Sequence, residues 1–313
     1  MTSRAFRFGT VVSTDPGGGN WPDLARQIAE RGYQTLLMTD HVSGQLAPGP
    51  ALAVAAAAAP QLRVGSLVYC NDLYSPVLLA REVSTLASLT GGRFEFGLGA
   101  GWQAVDYLRT GVEFRTAGVR VDRLAESLEV IEKCRLGEAF EHHGRHYDVE
   151  VDRRVVPAVD AAHRAPVIIG GGGPRVLRLA GRRADIVSVN PALRDPDGHS
   201  STFYLDNDAE ATDRKLRWVR EGAGDRFAGI ELALTVYLAM VCEDRDAVAR
   251  VLARRAGVDP ERLLANPHVL IGTPEQMADT LSRRRDRWAI SYVMVDQWQH
   301  KMLGRVVEKL SGQ

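Results

Sequence analysis

The sequence is poor in cysteine and lysine and contains no long apolar run. Its three cysteines, Cys70, Cys134 and Cys242, lie far apart and match no metal-binding spacing, as is typical of reduced thiols in the cytosol. No stretch approaches the roughly 20 apolar residues that span a bilayer, and the first residues lack the apolar core of a signal peptide. Basic and acidic side chains balance at 39 each, so no net field attracts nucleic acid or an anionic membrane. We therefore expect a cytoplasmic protein without either partner.

Motifs of several common enzyme classes are also missing. The sequence has no glycine-flanked serine nucleophile and no lysine-containing loop for nucleotide triphosphates. The segment GLGAGW (97–102) misses the dinucleotide fingerprint, because a tryptophan stands where the third glycine belongs. Three histidines lie within EHHGRHY (141–147), yet no carboxylate or cysteine at helical spacing completes a metal site. We predict an exposed hairpin there and no metal centre.

The sequence does contain a regular alternation of short apolar runs and amphipathic segments. With 313 residues, 45% of them hydrophobic, the chain can bury a large core. Eight strands alternating with helices predict a parallel sheet, and at this length a closed (β/α)8 TIM barrel fits better than an open doubly wound sheet. The predicted strands are 6–13, 35–39, 63–69, 93–98, 166–169, 184–189, 231–241 and 291–295, and the predicted helices are 22–31, 76–89, 119–135, 174–182, 209–221, 245–256 and 274–287.

Two segments are too long to be simple connections. Residues 99–165 contain helical patterns and the predicted hairpin, and 190–208 carry turn formers without a clear period. In a barrel both would follow the C-terminal ends of strands, where active sites lie. No repeat or linker is present, so we predict one domain over residues 1–313 with insertions at this face.

An acid and a histidine follow the second predicted strand, in TLLMTDHVSG (35–44). In one interpretation Asp40 caps the next turn and His41 bonds to backbone. In the other, His41 lies over a bound ring, oriented by its surroundings. The spacing alone does not decide between them.

Two glycine segments follow other predicted strands. In GLGAGW the small residues either form a tight turn or let a planar cofactor approach the backbone beside Trp102. In IIGGGGP (168–174) four glycines lead into a helix that begins with proline. Free amides at such a helix start favour an anion-binding cradle over a merely flexible turn.

These segments, in this order, resemble the bacterial luciferase-like oxidoreductases, particularly the branch that uses the deazaflavin coenzyme F420. The resemblance runs through WPDLARQIAERGYQTLLMTDHV, LRVGSLVYCNDLYSPVLLAREVSTLASLTGGRFEFGLGAGW, RVDRLAESLEVIEKC, APVIIGGGGPRVLRLAGRRADIV and VLIGTPEQMADTL. It implies a (β/α)8 barrel, usually a homodimer, that holds a flavin or deazaflavin at the C-terminal ends of the strands.

The resemblance also implies roles for individual residues. Asp40 would contact the cofactor, and His41 would be the catalytic residue that donates a proton or positions the ring. A non-proline cis peptide is expected at or near Leu67–Val68, pressing on the ring. The full cofactor-binding set that it implies is Asp40, His41, Leu67, Val68, Tyr69, Leu98, Gly99, Trp102, Gln103, Gly170, Gly171, Gly172 and Gly173.

The function implied is F420H2-dependent hydride transfer to an electron-poor C=C, C=N or carbonyl group of a small molecule. An FMN-dependent monooxygenase using dioxygen and a non-catalytic flavin-binding barrel are the alternatives. The sugar-6-phosphate dehydrogenases of the family carry a glutamate where this chain has Ala100, and a tryptophan soon after the Asp-His pair, where this chain has VSGQL. With only four lysines in all, this chain is not expected to use glucose 6-phosphate.

Overall fold

The computed structural model describes residues 4–14, 20–192 and 207–313. The strands are β1 Arg7–Val12, β2 Thr35–Met38, β3 Arg63–Ser66, β4 Tyr69–Cys70, β5 Phe94–Gly99, β6 Phe140–His143, β7 Asp148–Val151, β8 Val167–Gly171, β9 Ile186–Val189, β10 Glu231–Val236, β11 Leu238–Val241, β12 Val269–Gly272 and β13 Ile290–Asp296. The helices are α1 Trp21–Glu30, α2 Pro48–Ala58, α3 Pro76–Leu89, α4 Ala104–Thr110, α5 Ala117–Leu136, α6 Pro174–Arg183, α7 Ala209–Ala223, α8 Arg245–Ala256, α9 Pro260–Ala265, α10 Pro274–Trp288 and α11 Gly304–Leu310.

Eight parallel strands form a closed barrel. Their order around it is β1, β2, β3, β5, β8, β9, β10 and β13, and β13 pairs with β1. The pairing of β3 with β5, with Val64 opposite Phe94, completes the ring. Short apolar strands suit this arrangement because each is covered on both faces. The predicted (β/α)8 TIM barrel is confirmed.

Strand side chains alternate between the barrel interior and the layer beneath the helices. The larger apolar core fills that outer layer and includes Phe96 and Leu98 of β5. The interior cluster consists of Val11, Leu37, Ile168, Ile186, Ala233, Tyr292 and Met294. A residue two positions beyond one of these, at a C-terminal strand end, therefore faces the mouth of the barrel.

A charged network fills the interior at the opposite end. Arg7 donates two 2.7 Å hydrogen bonds to Glu231 and one of 2.6 Å to Glu95, which also accepts a 2.7 Å bond from Arg63. The guanidinium of Arg7 lies 3.5 Å from the centre of the Tyr292 ring. Burial would raise the pKa of Glu95, but the guanidiniums of Arg7 and Arg63 hold it below its usual value. The network thus gives each of these charged groups a partner of opposite charge, and it fills this end of the barrel interior.

Several details of secondary structure differ from the sequence prediction, which did not include β12, α9 or α11. Helix α2 was not predicted, because its segment is apolar around the whole circumference and shows no period. The predicted strand 231–241 is two strands that separate at Tyr237. β10 stays in the barrel, whereas β11 pairs with β12 in a separate sheet with its own apolar cluster. The predicted strand 63–69 is interrupted between β3 and β4.

The predicted insertion at 99–165 contains α4, α5 and an antiparallel hairpin of β6 and β7, so the hairpin prediction is confirmed. Glu126 of α5 holds the hairpin by accepting hydrogen bonds from the backbone N–H groups of His146 and Tyr147. Of the predicted insertion at 190–208, residues 193–206 lie outside the described residues. Among the described residues, none of the helices has the length and apolar character needed to cross a bilayer.

Candidate active site

The C-terminal ends of four neighbouring barrel strands bring the predicted groups to one mouth. Asp40 and His41 follow β2, and the Leu67–Val68 peptide follows β3. Trp102 follows β5, and the glycine run 170–173 ends β8. Because all eight strands are parallel, these ends lie on the same face, where barrel enzymes place their active sites.

The peptide bond between Leu67 and Val68 is cis, as the family resemblance implied. Leu67 packs against the interior cluster of the barrel. On the other side, a Cβ on Gly97 would lie 2.0 Å from the carbonyl oxygen of Ser66, and one on Gly99 would lie 2.5 Å from Val68 Cγ2. These two glycines therefore allow β5 to pack closely against the bulge after β3, a contact within the protein.

Asp40 is nearly buried, and both of its carboxylate oxygens have partners. Oδ2 accepts a 3.0 Å hydrogen bond from the backbone N–H of Cys70, and Oδ1 accepts one of 3.1 Å from the hydroxyl of Tyr74. Burial raises the pKa of Asp40 above its usual value, and these two bonds oppose the rise. Asp40 thus ties the end of β2 to β4, beyond the cis bond. Its contact with a cofactor stays a prediction.

His41 is held by an acid that the sequence analysis missed. Its Nδ1 lies 2.7 Å from Oδ2 of Asp106, whose Oδ1 accepts a 3.0 Å bond from the backbone N–H of Val42. Asp106 is 3% exposed, while the side chain of His41 is 23% exposed. Asp106 lies in the seven-residue helix α4, which is too short to show a periodic pattern. The only signal in the sequence is that an acidic residue stands four positions after Trp102.

Trp102 and Gln103 connect β5 to α4. The indole ring of Trp102 meets the imidazole of His41 edge-on, with 5.8 Å between centroids and 89° between planes. The carbonyl of Gln103 accepts a 3.1 Å bond from the N–H of Asp106. Gly101, at φ +74°, is required here because a Cβ would lie 2.1 Å from the hydroxyl of Tyr107. Trp102 therefore forms a wall beside His41.

The structure does not bring two predicted side chains to the mouth. Tyr69 is fully buried and donates a 2.6 Å hydrogen bond to Glu82 of α3. Leu98 is fully buried in the outer core, beneath the helices. Any cofactor contact from Tyr69 or Leu98 must therefore come from the main chain.

The four glycines after β8 differ in what surrounds them. A Cβ on Gly171 would lie 2.4 Å from Val176, and one on Gly172 would lie 2.5 Å from the backbone nitrogen of Ala192. At Gly170 the nearest atom would be the amide nitrogen of Asn190, at 3.0 Å. A Cβ on Gly173 would meet nothing within 4 Å. Gly173 is also the N-cap of α6, and no side chain caps that helix, so its first turn is suited to an anion.

A second missed acid lies at the end of β13. Tyr292 and Met294 belong to the interior cluster, so by strand alternation Asp296 faces the mouth. One of its oxygens accepts a 2.9 Å bond from the N–H of Trp298. Burial raises the pKa of Asp296, and that bond opposes the rise. Within residues 4–14, 20–192 and 207–313, no cluster of three or more His, Cys, Asp or Glu side chains is arranged to hold a metal ion.

Residues 5–258 match the sequence model of the luciferase-like monooxygenase family. A protein of Nakamurella multipartita named F420-dependent glucose-6-phosphate dehydrogenase is 30% identical over 198 residues, which are 59% of this chain and 56% of that protein. The chain thus spans little more than half the length of the first curated relatives that it matches.

Solved structures resemble the chain over almost its whole length. An F420-dependent secondary alcohol dehydrogenase, in complex with an F420–acetone adduct, has a TM-score of 0.75 at 16% identity and covers 98% of both chains. The FMN-bound oxygenating constituent of 3,6-diketocamphane monooxygenase from Pseudomonas putida has a TM-score of 0.72 at 16% identity, also over 98% of both chains. At this identity the likeness shows the barrel fold.

Proposed function

Because the chain belongs to the luciferase-like monooxygenase family, we propose that it is an oxidoreductase that transfers a hydride between coenzyme F420 and a small organic substrate. The group reduced is an electron-poor C=C, C=N or carbonyl. One observation carries the proposal: a histidine held by a buried carboxylate shares the barrel mouth with a glycine loop that enters an uncapped helix. The names of a relative and of a structural neighbour support F420 as the cofactor.

The residues present fit this cofactor. The uncapped first turn of α6 and the open space beside Gly173 suit a phosphate-bearing tail, which we assign to Gly170–Gly173. We propose that the deazaflavin ring lies against the Leu67–Val68 peptide and Trp102. The remaining contacts to the cofactor come from Asp40, Tyr69, Leu98, Gly99 and Gln103. At Tyr69 and Leu98 these contacts are made by main-chain atoms. When bound, reduced F420 supplies the hydride.

His41 moves the proton that accompanies the hydride. Its Nδ1 is occupied by Asp106, so Nε2 is the nitrogen left to exchange a proton with a substrate heteroatom or carbon. The indole of Trp102 lies perpendicular to the imidazole of His41 and limits the access of water on that side. The protein thus contributes binding, orientation and one titratable group.

FMN is the alternative cofactor, because the same fold holds FMN in the diketocamphane monooxygenase. In that case the reaction would consume dioxygen. A non-catalytic flavin-binding barrel is less well supported, since storage of a ring does not require the histidine–carboxylate pair.

Glucose 6-phosphate is not the proposed substrate, although relatives are named for it. Ala100 stands where the sugar-6-phosphate dehydrogenases carry a glutamate. Of the four lysines, Lys215 is buried and bonded to Asn207, so it is not available to a sugar phosphate. We expect no reduction of F420 by glucose 6-phosphate, while an oxidised small carbonyl or imine substrate is turned over with F420H2.

We further propose a cytoplasmic homodimer formed through α2 and α3. An apolar helix without a polar face is normally covered, yet Val54 of α2 is 46% exposed and Leu78 of the adjacent α3 is 62% exposed. A second copy of the chain would cover them. Light scattering should give twice the chain mass for the wild type and the monomer mass for Val54→Glu with Leu78→Glu. A monomeric wild type would contradict the dimer.

The cofactor is tested by titrating the protein with F420 and with FMN while following tryptophan fluorescence. Trp102 lies in the proposed site, so F420 should quench the emission saturably, and Trp102→Phe should lose that part of the quenching. Tighter binding of FMN, together with oxygen-dependent turnover, would overturn the F420 proposal.

A further inference from the structure

We propose that Asp106 is the positioning residue for His41. Its carboxylate keeps the ring hydrogen on Nδ1, so that Nε2 is the atom that exchanges the proton. This inference rests on the proposed role of His41 in proton transfer.

The hydrogen bonds of the carboxylate determine the tautomer. Both oxygens of Asp106 are used, one by Nδ1 of His41 at 2.7 Å and the other by the N–H of Val42 at 3.0 Å. A carboxylate only accepts hydrogen bonds. Nδ1 must therefore carry the hydrogen, and the lone pair of the neutral imidazole lies on Nε2.

Asp106 is itself fixed in place. Its N–H donates a 3.1 Å bond to the carbonyl of Gln103, and its carbonyl accepts a 2.8 Å bond from the hydroxyl of Thr110. Its side chain is almost fully removed from water, where hydrogen bonds are stronger than at the surface. The bond to Val42 also joins the loop after β2 to the helix after β5. The ring of His41 thus has one orientation, between Asp106 and the perpendicular ring of Trp102.

A purely structural brace would give the same contacts, and an asparagine separates the two roles. Asp106→Asn keeps the size of the side chain, and the N–H of Val42 still donates to the amide oxygen. The amide NH2 group then faces Nδ1 and donates to it, which moves the ring hydrogen to Nε2. The fold would remain, but the nitrogen at the mouth would have the wrong protonation, as in other carboxylate–histidine pairs.

The experiment compares the wild type with Asp106→Asn, Asp106→Glu and the control Glu113→Gln. Glu113 lies after α4, and its side chain is 73% exposed in an ion pair with Arg115. In 15N-histidine spectra of the protein alone, the wild type, Asp106→Glu and Glu113→Gln should show His41 hydrogenated at Nδ1. Asp106→Asn should show it at Nε2.

The kinetics should follow the tautomer. We expect Asp106→Asn to lower kcat by about 10²–10⁴-fold and to change F420 affinity by less than about threefold. Asp106→Glu should recover at least about tenfold of that loss, and Glu113→Gln should match the wild type. An unchanged tautomer in Asp106→Asn, or an equal loss in the asparagine and glutamate variants, would overturn the inference.

The spectra need no cofactor, so they separate this inference from the proposed function. If the wild type fails to bind F420 but the tautomer changes as expected, the proposed function fails and the positioning role stands. If F420 binds and turns over but Asp106→Asn keeps both tautomer and rate, the positioning role alone fails.

Discussion

The backbone N–H of Cys70 donates a 3.0 Å hydrogen bond to Oδ2 of Asp40, and this bond joins the end of β2 to the strand that resumes after the cis peptide. The hydroxyl of Tyr74 occupies the other oxygen. Two donors therefore hold a carboxylate that the family resemblance assigned to the cofactor. Asp40 therefore ties the end of β2 to β4, and the bond from the N–H of Val42 to Asp106 ties the following loop to α4.

Asp40→Asn should destabilise the protein. The amide oxygen can keep the bond from the N–H of Cys70, while the NH2 group donates to the hydroxyl oxygen of Tyr74, whose own hydrogen then loses its acceptor. Leaving one buried donor unsatisfied costs about 1–3 kcal/mol, measurable by urea unfolding. Tyr74→Phe is the matched comparison: it removes the acceptor of the NH2 group, so combining it with Asp40→Asn should deepen the loss.

The same variant tests the cofactor contact predicted for Asp40. If the carboxylate also recognises the polar edge of the ring, Asp40→Asn should weaken F420 binding more than it lowers kcat. Full affinity in a folded but less stable variant would leave Asp40 with its structural role only.

His41→Ala should bind F420 nearly normally but turn over about 10²–10⁴-fold more slowly, the range typical of proton transfer by a positioned side chain. Its ring is only partly exposed and packs edge-on against Trp102, so binding needs to be measured separately by titration. A small loss of rate together with weaker binding would instead identify His41 as a residue that packs against the ring.

Gly173→Val should weaken F420 binding without affecting the fold. The backbone of Gly173 is extended, at φ −95° and ψ 157°, so a β-branched residue fits it. Its Cβ would enter the open space at the start of α6, where the phosphate would lie. Gly229→Val is the matched control, because a Cβ there also meets nothing within 4 Å. Equal F420 affinity in the two variants would refute the assignment of the tail.

Gly171 and Gly172 are poorer sites for this test. A side chain at either one would strike Val176 or the backbone of Ala192 before it reached a ligand. The glycine run predicted an anion cradle from sequence, but only the structure distinguishes the open glycine from the packed ones.

Much of the barrel could be predicted because its signals are local. Short buried strands and helix starts at Pro76 and Pro274 are visible in a few consecutive residues. The pairing of His41 with Asp106 joins residues 65 positions apart, and no sequence pattern near either residue indicates the other. Helix α2 has no polar face and hence no period. The glycines of GLGAGW were interpreted as a tight turn or as room for a cofactor, whereas Gly97 and Gly99 accommodate Ser66 and Val68.

Glu95→Gln should lower stability and change its pH dependence. The glutamate accepts bonds from Arg7 and Arg63 at the end of the barrel opposite the mouth. Removing its charge takes the carboxylate partner from Arg63, while Arg7 keeps its two bonds to Glu231, so we expect a loss of about 1–3 kcal/mol. The folded pKa of Glu95 lies below the usual 4.5. Its contribution is therefore complete above pH 4.5 and is lost as the pH falls through the lowered folded value.

Unfolding by urea at a series of acidic pH values checks this. The wild type should lose stability below pH 4.5 more steeply than Glu95→Gln, while the exposed Glu113→Gln should follow the wild type. Parallel curves for the wild type and Glu95→Gln would show that the network does not depress the pKa of Glu95.

Turnover with F420H2 should be equally fast in air and under nitrogen. The proposed chemistry needs only a hydride and the proton that His41 exchanges through Nε2, and no oxygen atom enters the product. A flavin monooxygenase on the same scaffold would stop when dioxygen is removed and would incorporate label from 18O2. The measurement is the rate of F420H2 oxidation with the substrate in matched aerobic and anaerobic cuvettes, with His41→Ala as the slow control. Dependence on dioxygen and on reduced FMN would assign the mouth formed by His41, Asp106 and Trp102 to a monooxygenase instead.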